Sequence, residues 1–180
     1  EVGSRGLGDV YKRQDYTCKE LSQGKSFAEI KGLSYHDTQG NIQHTPEREL
    51  IHDWDTMPSV FPVYAENLNI RNYLIGYLLN PYISLYTGRG CPAKCTFCLW
   101  PQTIGGHQYR AKSPEAVGRE MAEAKAIWGS SVREYFFDDD TFTIDKKRAI
   151  AISEHLQRLK LTWSCNARGN LDYNLSLIHI

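Results

Sequence analysis

Residues 82–174 predict an α/β fold with parallel strands, and three observations carry that prediction. Runs rich in β-branched and aromatic residues at 82–87, 132–137 and 161–167 read as strands. Two helical patterns separate them, giving the order strand, helix, strand, helix, strand that calls for parallel pairing through crossovers. Each strand also runs into polar or thiol-bearing residues at its carboxyl end, where chemistry gathers in such folds.

The first helix has Ser113 as its cap and Pro114 at its first position, with Val117, Met121, Ala124, Ile127 and Trp128 as its buried stripe. Asp145 caps the second, whose apolar side holds Ala149, Ile152, Leu156 and Leu159. Upstream, 17–23 forms a short helical patch ending at Gly24, and 30–36 with 42–45 form a hairpin about a turn containing Gly40. Residues 46–66 carry Pro46, Pro58 and Pro62, which disfavours continuous helix and marks a connector and domain boundary. A helix is expected over 69–79, with Ile70, Tyr73, Leu74, Tyr77 and Leu78 at helical spacing before Pro81. Residues 1–14 and 175–180 show no capped or periodic pattern. They are read as artefact-like tails outside the fold.

Composition removes several functions. The 21 Lys plus Arg balance 21 Asp plus Glu, so the basic footprint of a nucleic-acid binder is missing. A hydrophobic content of 41% argues against intrinsic disorder. No run approaches the ~20 apolar residues of a membrane span, and no leader pattern is visible, so a cytoplasmic protein is expected.

The chemistry is concentrated in GRGCPAKCTFCLWP, where Cys91, Cys95 and Cys98 are spaced C-x3-C-x2-C. Three thiols in one tight loop leave one unpaired in any disulfide scheme, and metal is the economical reading. Closed structural zinc wants four ligands, with His107 the nearest fourth candidate. Three thiolates without a fourth instead suit an iron-sulfur cluster with one open iron.

This loop resembles the signature of the radical S-adenosylmethionine (SAM) superfamily, C-x3-C-x-aromatic-C after the first barrel strand, with Phe97 in the aromatic place. The resemblance implies the first half of a partial (β/α)6 radical SAM barrel over 82–174. It also implies that Cys91, Cys95 and Cys98 hold a 4Fe-4S cluster and that SAM chelates the open iron. Reductive cleavage of SAM would then yield a 5'-deoxyadenosyl radical. An electron donor such as flavodoxin or ferredoxin is the implied partner.

Asp138, Asp139 and Asp140 end the second strand. Adjacent carboxylates in a confined mouth repel unless a cation or donors are present, and strand alternation points at most two of them inward. A solvated acidic loop or helix cap is the plainer alternative. By resemblance the SAM amino group is held at this strand end, commonly by Gly-Gly-Glu, whereas this chain has FFDDDTFT. Arg168, after the third strand, suits bidentate pairing with the SAM carboxylate, with an ordinary exposed loop arginine as the alternative. The cofactor-binding candidates are therefore Phe97, Asp139, Asp140 and Arg168. No side chain stands out as a catalytic acid, base or nucleophile. Cys165 and Cys18 read as small buried hydrophobes. Gly105 and Gly106 read as a flexible turn, with His107 a polar loop residue.

Beyond the loop, FFDDDTFT, TWSCNARGN and CTFCLWPQTIGGH resemble the cobalamin-binding-domain-associated branch, and within it the hopanoid-biosynthesis-associated radical SAM proteins. This implies that 15–45 is the remnant of a cobalamin-binding module and 46–81 a linker and connecting helix, including Asp55 to Pro58 as a D-x-x-P segment. It further implies cobalamin as a cofactor of the full-length protein and a hopanoid lipid side chain as substrate, forming its cyclitol ether at or near a membrane. Nothing in the residues identifies that substrate, and none can be shown to hold a corrinoid. Other cobalamin-dependent radical SAM reactions, such as methyl transfer or tetrapyrrole cyclisation, stay open. So does a non-catalytic zinc module on Cys91, Cys95, Cys98 and His107. A three-strand half-barrel would expose an edge and a face, and is expected to aggregate and be inactive on its own.

Overall fold

A computed structural model describes residues 2–3, 14–99, 106–169 and 171. Its chain order is β1 (Val2–Gly3), α1 (Gln14–Ser22), β2 (Ser34–His36), β3 (Ile42–His44), α2 (Phe61–Asn67), β4 (Tyr82–Leu85), β5 (Gly88–Arg89), β6 (Arg110–Ala111), α3 (Pro114–Trp128), β7 (Glu134–Phe137), α4 (Lys146–Arg158) and β8 (Trp163–Cys165).

The three expected strands form one parallel sheet in the order β4-β7-β8. Ile83 lies opposite Tyr135, which lies opposite Trp163, and Leu85, Phe137 and Cys165 repeat the alignment two residues on. Because side chains alternate along a strand, these six share one face. That face packs on Val117, Met121 and Ala124 of α3 and Ala149, Ile152 and Leu156 of α4. Each fully buried Ile or Leu there contributes about 1.5 to 3 kcal/mol. The helices begin where the sequence says: Ser113 Oγ accepts from the Ala116 N–H at 3.1 Å, and Asp145 Oδ1 accepts from the Arg148 N–H at 3.0 Å. Gly129, with φ +54°, ends α3.

The opposite face carries Tyr82, Ser84, Glu134, Phe136 and Ser164, and Tyr77 packs edge-on against buried Phe136 at 6.4 Å. Glu134 is also buried, accepting from the Leu79 N–H at 2.6 Å and from the Ser164 hydroxyl. Within the described sheet, β4 and β8 are edges.

Three expectations are corrected. No helix forms over 69–79: only a 3-10 turn at Ile70–Asn72 is present, and Tyr73, Leu74 and Tyr77 are exposed. Asn69 captures the Arg71 N–H at 3.1 Å and starts a turn instead. The helix lies earlier, at Phe61–Asn67 inside the Pro-rich connector, because Pro62 falls in the first turn, where no N–H is needed. It seats buried Phe61 edge-on to Trp128 at 5.7 Å. Ile127 is an exposed rim residue of α3, while Ala116 is buried in the stripe. Cys18 is exposed on α1 and is no buried hydrophobe. Val2–Gly3 pairs antiparallel with Ser34 and Tyr35, and Gln14 opens α1.

The predicted hairpin is β2–β3, with Ser34 opposite His44 and His36 opposite Ile42. Asp37 takes the N–H groups of Gln39 and Asn41, both at 2.9 Å, and Gly40 supplies φ +84° for the turn. No helix among the described residues is long and apolar enough to cross a membrane.

Candidate active site

At the carboxyl end of β4 the chain enters a long loop through β5 and leaves it through β6. These pair antiparallel, Gly88 with Ala111 and Arg89 with Arg110, so the loop has a closed neck. The neck is tight: a methyl group on Gly88 would stand 3.1 Å from Ala111 Cβ and 3.3 Å from Asp139 Oδ2. Beyond it lie Cys91, Cys95 and Cys98, all free and half-buried. Gly90 sits just before Cys91 with φ +89°, a conformation that favours glycine. The Cys91 N–H donates to the Gly106 carbonyl at 3.1 Å and the Cys98 N–H to the Cys95 carbonyl at 3.1 Å.

The three aspartates at the end of β7 each grip a different part of this mouth. Asp138 accepts from the Tyr86 hydroxyl at 2.8 Å and the Asn166 amide at 2.9 Å, joining the ends of β4 and β8. Asp139 is fully buried and accepts from the Thr87 N–H at 2.6 Å and hydroxyl at 2.7 Å. Asp140 accepts from the Gly90 N–H at 2.7 Å. These donors relieve the repulsion that three adjacent carboxylates would suffer. Burial pushes the Asp139 carboxyl above the ordinary carboxylate range, against the pull of Thr87 and of Arg148. Tyr86 is raised to about 12 by burial and by its bond to Asp138, and its ring lies 4.0 Å beneath the Arg89 guanidinium.

The cofactor-binding candidates lie in different settings. Asp139 is fully buried, with its two oxygens engaged by Thr87. Asp140 faces the cysteine loop. Phe97 is 90% exposed, and Arg168 is exposed in the loop after β8. His107 places Nδ1 3.2 Å from the Cys91 carbonyl oxygen. Gly106 turns with φ +66°, and Gly105 lies outside the described residues. Cys165 is half-buried in β8, its thiol pushed up to about 12 by burial and by Asp139.

Two residues with no sequence expectation organise the neck. Thr87 is fully buried between Asp139 and Arg148, and Arg148, 7% exposed, reaches in from the first turn of α4. A usable signal existed for Arg148: it precedes Ile152 by four residues, which places it on the buried side of its helix.

Among the described residues no three of His, Cys, Asp and Glu stand close enough to hold a metal ion. The three thiols are free, neighbouring and at a strand's carboxyl end, so the donor set fits a thiolate-held centre.

No protein-family model matches the chain. It is 35% identical over 168 residues to an uncharacterized methyltransferase of Pyrococcus horikoshii, covering 92% of this chain and 34% of that protein. It is 26% identical over 173 residues to the cytidylyl-2-hydroxyethylphosphonate methyltransferase of Streptomyces wedmorensis, covering 81% and 31%. The cobalamin-dependent SAM radical enzyme OxsB, solved with aqua-cobalamin and SAM, superposes with TM-score 0.56 at 19% identity, over 86% of this chain and 21% of that one. The radical SAM methyltransferase TsrM of Kitasatospora setae, with tryptophan and a SAM analogue, gives TM-score 0.53 at 18% identity over 89% and 29%. The α/β fold with its parallel sheet is the fold found in those cobalamin-dependent radical SAM enzymes. This chain spans about a third of the length of the curated relatives it matches.

Proposed function

We propose that this chain is the cysteine-loop portion of a cobalamin-dependent radical SAM enzyme. The observation that carries the reading is three free thiols, Cys91, Cys95 and Cys98, behind a closed neck at the carboxyl end of the first parallel strand. In this reading those thiols hold a 4Fe-4S cluster, and SAM completes its coordination. When bound, the pair supplies one-electron reductive cleavage of the SAM carbon-sulfur bond. The protein's share is placement. Asp140 fixes Gly90 ahead of the first ligand, Asp138 ties the two flanking strand ends, and the Asp139–Thr87 pair holds the neck. Arg168 and Phe97 are exposed at the same end of the sheet and remain the proposed SAM contacts.

Methyl transfer is the reaction class we favour, since both curated relatives described above are named methyltransferases. The hopanoid side chain rests on the sequence resemblance alone. Cobalamin, an electron donor such as flavodoxin or ferredoxin, and a membrane-associated lipid substrate belong to the proposal for the whole protein.

Anaerobic reconstitution of the chain with iron and sulfide tests the reading. It expects about four irons and four sulfides per chain, roughly as a single cluster requires. Serine at any one of Cys91, Cys95 or Cys98 should abolish incorporation, and SAM should perturb the electron paramagnetic resonance of the reduced protein. A colourless protein that takes up one zinc and no iron would overturn it in favour of a structural zinc module.

A further inference from the structure

Arg148 is buried at the one place where the cysteine loop is entered and left. Its Nη2 donates to the Thr87 carbonyl and hydroxyl, both at 2.9 Å, on the entry side. On the exit side Nε donates to the Lys112 carbonyl at 2.8 Å and Nη1 to the Tyr109 hydroxyl at 3.2 Å. Nη1 also lies 3.9 Å from Asp139 Oδ2, and the guanidinium carbon lies 5.7 Å from the centre of the Phe142 ring. The Lys112 N–H itself donates to the Thr87 carbonyl at 2.8 Å, so backbone and guanidinium close the same ring. Lys112 is held from outside by an ion pair with Glu120 of α3.

Taking a guanidinium out of water costs several kcal/mol, and an apolar side chain of similar volume commonly packs such a place as well or better. What only arginine offers is a planar fork of five donors in fixed directions. Here four hydrogen bonds from that fork go to the two sides of the neck. The Thr87 hydroxyl relays the hold, accepting from Arg148 and donating to Asp139. Next along the chain, Asp140 fixes Gly90.

We propose that Arg148 is a positioning residue that clamps the neck of the cysteine loop and thereby sets how Cys91, Cys95 and Cys98 are presented. It touches no thiol. Its influence runs from Thr87 through Gly88 and Gly90 to Cys91, and from Lys112 and Tyr109 back toward His107. The importance of the clamp for a metal centre rests on the function proposed above, whereas the clamp itself is a property of the metal-free chain.

The two are therefore tested separately. In the metal-free 180-residue chain, alkylation of each cysteine by iodoacetamide is timed by peptide mass spectrometry for the wild type, Arg148→Lys and Tyr109→Phe. Lysine keeps the charge and loses the fork; phenylalanine removes only the Tyr109 contact. Arg148→Lys is expected to change the rates at Cys91, Cys95 and Cys98 at least threefold, and Tyr109→Phe to change them less in the same direction. Cys165, packed behind the sheet, should keep its wild-type rate in both. Unchanged loop rates in a folded variant overturn the proposal. So does a rise at Cys165 in step with the loop thiols, which marks general loosening. Should Arg148→Lys fail to fold, unchanged loop rates in Tyr109→Phe overturn it alone. After reconstitution, chelator-driven iron loss from Arg148→Lys should be about tenfold faster than from the wild type. Absence of iron from the wild type would sink the metal reading and leave the labelling result standing.

Discussion

Asp139 accepts both the backbone N–H and the hydroxyl of Thr87, at 2.6 and 2.7 Å, four residues before the first cysteine of the loop. Both residues are fully buried. A carboxylate with water excluded from it holds such a geometry because each lost hydration bond is replaced by a directed donor.

Removing either partner leaves the other unsatisfied in a dry place. Thr87→Val should cost about 1 to 3 kcal/mol, the usual penalty for stranding a buried acceptor. Asp139→Ala should cost about 3 to 5 kcal/mol, since it also leaves Arg148 without its counter-charge. Urea unfolding midpoints followed by circular dichroism measure both. A Thr87→Val chain as stable as the wild type would show that the hydroxyl is dispensable.

Gly118 and His155 make a second closely fitted pair, where α3 crosses α4. A methyl group at Gly118 would stand 2.8 Å from His155 Nδ1. Alanine usually improves a helix by about 1 kcal/mol over glycine, whereas overpacking costs about 1 to 3 kcal/mol. The clash should win, so Gly118→Ala is expected to destabilise the wild type by about 1 kcal/mol. In a His155→Ala background the obstacle is gone, and the same change should stabilise by a similar amount. A double-mutant cycle on thermal midpoints reads the sign change; an unchanged sign in the two backgrounds would refute the contact.

The sheet, α3 and α4 were legible in the sequence because their signals are local and agree: Ser113 and Asp145 cap, Val117, Met121, Ile152 and Leu156 bury, and β-branched runs alternate with the helices. The segment 69–79 was not, because its apolar spacing mimics a helix while Asn69 supplies a competing turn. Its Leu74 and Tyr77 are exposed, and the Tyr77 ring meets Phe136 of β7 edge-on at 6.4 Å, a contact no local pattern announces. The cysteine spacing pointed to a site, and FFDDDTFT to a cluster of charge. Which aspartate faces in, and that Thr87 and Arg148 answer it, depends on contacts across 52 and 61 residues that no window of sequence contains.

Cys165 and the loop cysteines should differ sharply as nucleophiles. Burial and the nearby Asp139 raise the Cys165 thiol to about 12, so it carries almost no thiolate at neutral pH. With the folded, metal-free chain at pH 8, Ellman's reagent is expected to consume Cys18 and the loop thiols first, and Cys165 only once denaturant is added. Early modification of Cys165 would contradict its packing against the core of the sheet.

One of the ties between the connector and α3 is a carboxylate, and acid should loosen that tie. Asp55 Oδ1 accepts from the Ser113 N–H at 2.7 Å, meeting α3 at its capping residue. Hydrogen bonding from Ser113, helped by Arg119 and Lys112, holds the Asp55 carboxyl below its ordinary value of 3.8. A carboxyl lowered in the folded state binds protons more readily when unfolded, so its contribution is complete above pH 3.8 and is lost as the pH falls through its lower folded value. Asp55→Asn keeps an acceptor oxygen for Ser113 and removes the charge. Urea midpoints measured from pH 6 down to pH 2.5 should therefore fall more for the wild type than for Asp55→Asn, with the two curves converging at the acid end. Curves that stay parallel across the range would mean that Asp55 titrates alike in the folded and unfolded chain, and that the tie is carried by the neutral hydrogen bond alone.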